Sequence, residues 1–234
     1  MAPLIDRRLP APAQVYDLMR ERIETSQFAP GEQINERMLA EWLTVSRTPI
    51  REAIRQLVGD GLIEIIPNVG TRVALVDPAR VMECCFIRMN LEGAAIENAV
   101  KFFDDAADRN LGHLIDEQEY TIGTSDMVRN IAIDSEFHRV IIRLSHYPII
   151  EEMLQKIMGE VLRARHLSIK LPGRLHEPIA EHRKILAALR SGDPADCAAQ
   201  MRFHLMESYR SIQRALKVPQ PEQRGQPAHG SPAA

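Results

Sequence analysis

The sequence predicts a mainly α protein, with an N-terminal winged helix-turn-helix followed by an all-α helical bundle. Three observations carry that reading. Apolar residues recur at three- and four-residue spacing over most of the chain, and strand-like alternation is scarce. The exception is a pair of short runs, Ile63 to Ile66 and Thr71 to Ala74, joined through Pro67-Asn68-Val69-Gly70, whose turn residues make a hairpin. Finally, polar residues fall on the apolar stripes of several later helices, where a plain bundle would be hydrophobic.

In order along the chain, Gln14 to Thr25 reads as a first helix, broken by Pro30-Gly31. Asn35 can cap a second, Glu36 to Leu43, and Ser46 a third. Pro49 lies in the first turn of that third helix, where its missing N–H costs little. The hairpin closes the unit, and Asp77-Pro78 marks a boundary. Beyond it, helices are expected near 79–102, 104–122, 125–145, 147–170, 178–191 and 194–216, with breaks at Pro148, Pro172-Gly173, Pro178 and Gly192-Asp193-Pro194. The end, PQPEQRGQPAHGSPAA, has too little apolar surface to fold. The expected organisation is an N-terminal arm (1–11), a winged helix-turn-helix (12–76), a linker (77–79), the bundle (80–217) and a disordered tail (218–234).

At 234 residues the chain suits one large domain or two smaller ones, and a hydrophobic content of 45% lets it bury a core. A net charge of -3 provides no global attraction for a polyanion, so any nucleic-acid surface must be local. Cys84, Cys85 and Cys197 form an odd set with two adjacent, which suits neither a disulfide framework nor a zinc spacing and fits a reducing compartment. The opening MAPLIDRRLPAP lacks the apolar run of a signal peptide, and no apolar segment approaches the roughly 18 residues that span a bilayer. A cytoplasmic protein with no membrane partner is expected.

The stretch TVSRTPIREAIRQL carries Arg47, Arg51 and Arg55 at four-residue spacing, with Ile50, Ile54 and Leu57 to dock the helix. Arg47, Thr48 and Arg51 lie toward the opposite, N-terminal side. There the helix dipole favours phosphate, and the arginine fork matches the O6 and N7 acceptors of guanine. A charged helix face can simply be solvated, and Glu52 and Asp60 are close by. A preceding helix, a tight turn and a following hairpin favour double-stranded DNA as the partner.

The segment PGEQINERMLAEWLTVSRTPIREAIRQLVGDGLIEIIPNVGTRV resembles the DNA-binding domain of GntR-family bacterial transcription regulators, over roughly residues 12 to 76. The resemblance implies DNA contacts from Arg37, Ser46, Arg47, Thr48 and Arg51. It also implies that Gly70 forms the tip of a wing approaching the minor groove, with Asn68 a further wing candidate. Thr44 departs from the pattern, because the family usually has Gly before Val-Ser-Arg. The inter-helix turn is therefore expected to be slightly altered.

In the later helices, Asp134 and His138 lie on the stripe Ile131 to Ile142, His182 on the stripe Ile179 to Leu189, and His204 on the stripe Met201 to Ile212. Each would cost free energy to bury alone, and a divalent metal in the bundle core would satisfy all four. A single histidine on such a stripe is more often a hydrogen-bonded core residue, and the i,i+4 pair alone is weak; three stripes together favour the metal. His113, His146, His166, His176 and His229 lack the pattern.

Residues 80 to 216 resemble the FCD ligand-binding domain of the FadR branch of GntR regulators, through IRMNLEGAAIENAV, DSEFHRVII and IAEHRKILAALRSGDPADCAAQMRFHL. That resemblance implies that Asp134, His138, His182 and His204 bind a divalent cation and that Arg88 holds the carboxylate of an effector. Arg88 interrupts an apolar stripe, so its guanidinium either faces inward or pairs with Glu92 on the surface. A divalent cation with one Asp and three neutral His leaves about one positive charge and Arg88 adds another, which favours a small organic acid. Zinc is the default, with nickel or manganese also accommodated. The expected function is a homodimeric, metabolite-responsive transcription regulator, in the commoner case a repressor, on a palindromic operator. Alternatives are a metal-dependent hydrolase with an appended DNA-binding domain, or a purely structural metal. No H-E-x-x-H helix is present to support the hydrolase, and an enzyme is not expected.

Overall fold

The computed structural model describes residues 5–6, 8–124, 126–168 and 176–217. The expected tail, the start of the arm and the break at Pro172-Gly173 lie outside them. Helix α1 (Ala11–Glu24) buries Val15, Met19 and Ile23 along one stripe. The Asn35 side chain accepts hydrogen bonds from the Arg37 and Met38 amides and so starts α2 (Glu36–Leu43). Helix α2 ends at Thr44, which sits at φ 56, ψ 43, the left-handed conformation that glycine usually supplies. The turn keeps that geometry although its residue is β-branched: the Val45 amide donates back to the Ala40 carbonyl at 3.1 Å.

Helix α3 (Arg47–Gly59) docks through Ile50, Ala53, Ile54 and Leu57. Ser46 occupies the N-cap position, but its side chain makes no capping hydrogen bond, so only the position agrees with the sequence reading. Strands β1 (Ile63–Ile66) and β2 (Gly70–Val73) pair antiparallel from Ile63 with Val73 to Ile66 with Gly70. The second strand begins one residue earlier than Thr71. In the turn the Val69 amide donates to the Ile66 carbonyl, Pro67 takes the second position, and Asn68 at φ 62 supplies the positive φ required at the third.

Helix α4 (Pro78–Ala99) is capped by Asp77 and runs into a 3₁₀ turn, Val100–Phe102. Then come α5 (Asp105–Thr124), α6 (Met127–Leu144), α7 (Pro148–Ser168), α8 (Glu177–Ser191) and α9 (Pro194–Lys217). Helix α4 packs on α6, α7 and α9, while α5 packs on α6 and α8. The main core joins Ile96, Leu111, Phe137, Ile141, Ile185 and Met201. A separate core under the hairpin joins Met19, Ile50, Leu57 and Val73.

Helix α7 carries the contacts between the two units. Arg20 of α1 donates to the Gln155 carbonyl, and Arg163 donates to the Ala74 carbonyl. At Gly159 the approach is so close that a Cβ would meet the Leu62 side chain at 3.1 Å. Among the described residues, no helix is long and apolar enough to cross a membrane.

Candidate functional site

On the N-terminal unit, Arg37, Ser46, Arg47, Thr48 and Arg51 are all exposed, as are Asn68 and Gly70 at the hairpin. Arg51 Nε donates to Glu36 Oε2 at 2.8 Å, and Arg37 lies 3.8 Å from Glu41, so both are lightly tethered to neighbouring acids. Gly70 has φ 124, a region closed to side chains that carry a Cβ. The start of α3, with Arg47 and Thr48 in its first turn, is exposed to solvent.

The second site lies inside the bundle. Asp134 and His138 stand one turn apart on α6, His182 comes from α8 and His204 from α9. One potential ligand atom of each lies within 4.8 Å of the others, and all four residues are buried. His138 Nε2 faces His204 Nε2 at 3.1 Å; Asp134 lies 3.8 Å from His138 Nε2 and 3.7 Å from His182 Nε2.

The opposite ring nitrogens decide which tautomers are present. His204 Nδ1 lies 2.7 Å from Glu181 Oε2, and His182 Nδ1 lies 2.9 Å from Gln118 Oε1. Glu92 Oε2 lies 2.6 Å from His138 Nδ1, although not aligned for a linear hydrogen bond. Glu181 and Gln118 hold a proton on Nδ1 of His204 and His182, leaving the Nε2 atoms of those two rings as acceptors within the cluster. His138 Nε2 and His204 Nε2, 3.1 Å apart, either share a proton or, with both rings protonated on Nδ1, need a cation between them. His182 Nε2 has no hydrogen-bond partner.

Protonation does not supply that cation at His182 or His204. Burial pushes the His182 imidazole well below its usual range, assisted by His204. Burial and then His138 do the same to His204. Burial would raise the Asp134 carboxyl, but the Arg165 guanidinium, with His138 and His182, outweighs it and holds the group well below 3.8. Three imidazole nitrogens and one carboxylate, each kept ready by an outer partner, fit a divalent metal.

Arg88 faces inward. Its Nε donates to Glu92 Oε1 at 2.6 Å, and the two side chains are 3% and 2% exposed. The alternative of a surface pair was right about the partner and wrong about the depth. Burial raises the Glu92 carboxyl less than Arg88 and His138 lower it, leaving it at about 2. Arg88 Nη2 has no partner and is free to hold an anion.

The expected charge also needs correction. Arg165 ion-pairs with Asp134, while Glu92 and Glu181 add two carboxylates. The set of Asp134, Glu92, Glu181, Arg88 and Arg165 carries one net negative charge. A divalent cation would turn that into one net positive charge, rather than the two counted from the sequence.

All six bundle helices contribute: Arg88 and Glu92 from α4, Gln118 from α5, Asp134 and His138 from α6, Arg165 from α7, Glu181 and His182 from α8, and His204 from α9. Gln118, Arg165 and Glu181 were missed by the sequence reading. Glu181 directly precedes His182, but its partner is His204 on another helix, which spacing within α8 could not reveal.

Two family models match the chain: "Bacterial regulatory proteins, gntR family" over residues 12–73 and "FCD domain" over residues 83–207. An uncharacterized HTH-type transcriptional regulator in an unstable DNA locus of Streptomyces ambofaciens is 30% identical over 215 residues, covering 89% of this chain and 87% of that one. The HTH-type transcriptional repressor RspR of Escherichia coli is 25% identical, covering 88% and 90%. Among solved structures, E. coli McbR/YncC superposes with a TM-score of 0.81 at 24% identity, covering 89% of this chain and 99% of that one. A GntR regulator from Rhodococcus superposes with a TM-score of 0.75 at 20% identity, with the same coverage. The fold is thus shared with McbR/YncC and the Rhodococcus protein, and the curated relatives are named as transcriptional regulators. The chain belongs to the gntR family of bacterial regulatory proteins, and it is a DNA-binding transcriptional regulator with an FCD domain.

Proposed function

We propose that this regulator senses a small organic acid through a divalent metal bound by Asp134, His138, His182 and His204, with zinc the default ion and nickel or manganese its competitors. The observation that carries the reading is the convergence of three buried imidazoles and one buried carboxylate, with His182 and His204 each held through Nδ1 by an outer acceptor. A divalent metal held there would act as a Lewis acid toward a carboxylate, and the unpartnered Nη2 of Arg88 would hold one of the carboxylate oxygens.

The protein acts as a cytoplasmic homodimer on a near-palindromic operator, placing two α3 helices in successive major grooves about one helical turn apart. Arg37, Ser46, Arg47, Thr48 and Arg51 make the helix contacts, while Asn68 and Gly70 carry the wing. Exposed Phe86 on α4 and Phe203 on α9 offer apolar surface to a partner copy. Repression relieved by the acid is the proposed sign, supported by the 25% identical relative RspR, which is named a repressor.

Elemental analysis of purified wild type and His204→Ala, followed by operator titration with and without small carboxylates, tests this. The expected result is near-stoichiometric metal in the wild type, its loss in the variant, and carboxylate release of DNA only with metal present. Carboxylate release that is unchanged after removal of the metal would reduce the ion to a structural role. Absence of metal from wild type grown with zinc, nickel and manganese would overturn the reading.

A further inference from the structure

A cavity of about 650 Å³ reaches the buried centre, with Arg88, Glu92 and His138 at its inner end. Its outer wall belongs only in part to the bundle, through α6 and α7. Tyr16, Arg20 and Glu24 of α1 line it, together with Asp60, the residue that caps the C-terminus of α3. The space therefore lies between the sensing unit and the DNA-reading unit. Cavities of ~300–1,000 Å³ hold ligands of drug size, so this one exceeds the needs of a two- or three-carbon acid.

The two ends make different chemical demands. At the inner end, Arg88 is buried and paired to Glu92 through Nε while its Nη2 is unpartnered, so that end takes an anion once a divalent cation is bound beside it. At the outer end Arg20 is engaged by Glu24, Arg139 by Glu136, and Glu151 by Arg143. Of the remaining ionisable lining, Asp17, Asp60 and Glu152 are acidic and Lys156 is basic, so that end favours a cation.

We propose that the cavity takes an elongated amino acid, with its carboxylate on Arg88 and its ammonium against Asp60 and the acids beside it, so that one ligand touches both units. The proposal rests on the reading of Arg88 as the carboxylate anchor. It also gives the ligand a direct route to the DNA-reading helix. The Tyr16 hydroxyl donates to Asp60 Oδ2 at 2.6 Å, and Arg20 Nη1 donates to the Tyr16 oxygen at 2.9 Å while its Nη2 donates to the Gln155 carbonyl. An ammonium at Asp60 takes the acceptor that the Tyr16 hydroxyl uses, so the ligand itself bridges α1 and α3 to the bundle and resets how α1 sits against them.

Three six-carbon probes of similar length test the far end: hexanoate, adipate and 6-aminohexanoate, titrated calorimetrically into full-length, zinc-loaded protein. We expect 6-aminohexanoate to bind at least about tenfold tighter than adipate, with hexanoate between them. The doubly substituted Asp17→Asn, Glu152→Gln protein, changed only at exposed positions, should shrink that advantage to less than about threefold. Hydrogen exchange should slow in residues 11–24 as well as in the bundle when 6-aminohexanoate binds. Equal or tighter binding of adipate, no binding of any probe, or protection confined to the bundle would overturn the proposal. If hexanoate or adipate binds best and Arg88→Ala abolishes it, the carboxylate anchor survives while the amino-acid assignment falls. If probe affinity is indifferent to Arg88→Ala, the anchor itself is lost.

Discussion

Acidifying the metal-free protein should destabilise it in a pH window set by two buried histidines. His182 is fully buried and His204 is 3% exposed, and burial holds both imidazoles well below the ordinary histidine range. In the unfolded chain each titrates near 6.5. Above that pH both states are neutral and neither residue biases folding. As pH falls through 6.5 the unfolded chain binds protons that the folded one refuses, so stability is lost progressively toward the folded pKa. Between pH 7.5 and 5.5 each histidine contributes a loss of about 1.4 kcal/mol, or roughly 2.7 kcal/mol for the pair.

The carboxylates held low, Asp134 and Glu92, act at more acidic pH and leave this window alone. Glu24 and Glu160, whose carboxyls burial raises, work in the opposite sense and trim the loss. Urea unfolding followed by circular dichroism, on chelator-treated protein at several pH values, measures the effect. His182→Leu should roughly halve the slope, and saturating metal should restore stability at each pH by preferential binding to the folded state. A change below about 0.5 kcal/mol between pH 7.5 and 5.5 would refute the argument that these imidazoles are buried neutral.

Thr44→Gly should stabilise the protein by about 0.5–1 kcal/mol, because relief of ~1–2 kcal/mol of left-handed strain exceeds the entropy cost of a glycine; a lower melting temperature would count against it. Arg47→Ala should cost roughly 1–3 kcal/mol of operator affinity and relax preference at one base pair, as read by footprinting. Glu181→Gln should leave the fold intact but weaken metal affinity about 10–100-fold, because the outer partner of His204 becomes neutral; a competition assay with a chromophoric chelator reports this.

What could be read from the sequence was whatever a single helix or turn encodes. Asp134 and His138 are one turn apart, and His182 and His204 lie on apolar stripes, so their inward direction follows from helical period alone. The hairpin follows from Pro67 and Asn68 in their turn positions, and the α2 cap from Asn35. The outer partners depend instead on which helices become neighbours. Gln118 is 64 residues from His182, Arg165 is 31 from Asp134, and Glu181 is 23 from His204. No periodicity within one segment encodes such a pairing. Glu92 shows the intermediate case: i,i+4 spacing identifies it as the partner of Arg88, but spacing says nothing of depth, and depth decides whether the pair is a solvated surface contact or part of the site.

Depth also gives the proposed sensor its logic. With one net negative charge among its fixed groups, the centre repels an organic acid until a divalent cation reverses the sign. Metal and acid then bind with positive coupling, and by linkage the acid must raise metal affinity by the factor by which the metal raises acid affinity. The same site adjoins a cavity whose far wall is Tyr16, Arg20 and Asp60, one hydrogen bond from the end of the helix that carries Arg47. Coupling to DNA therefore requires no long chain of side-chain rearrangements: a ligand filling the cavity has to bind differently to the two poses of α1, and that differential affinity sets the limit on how far it can shift DNA binding.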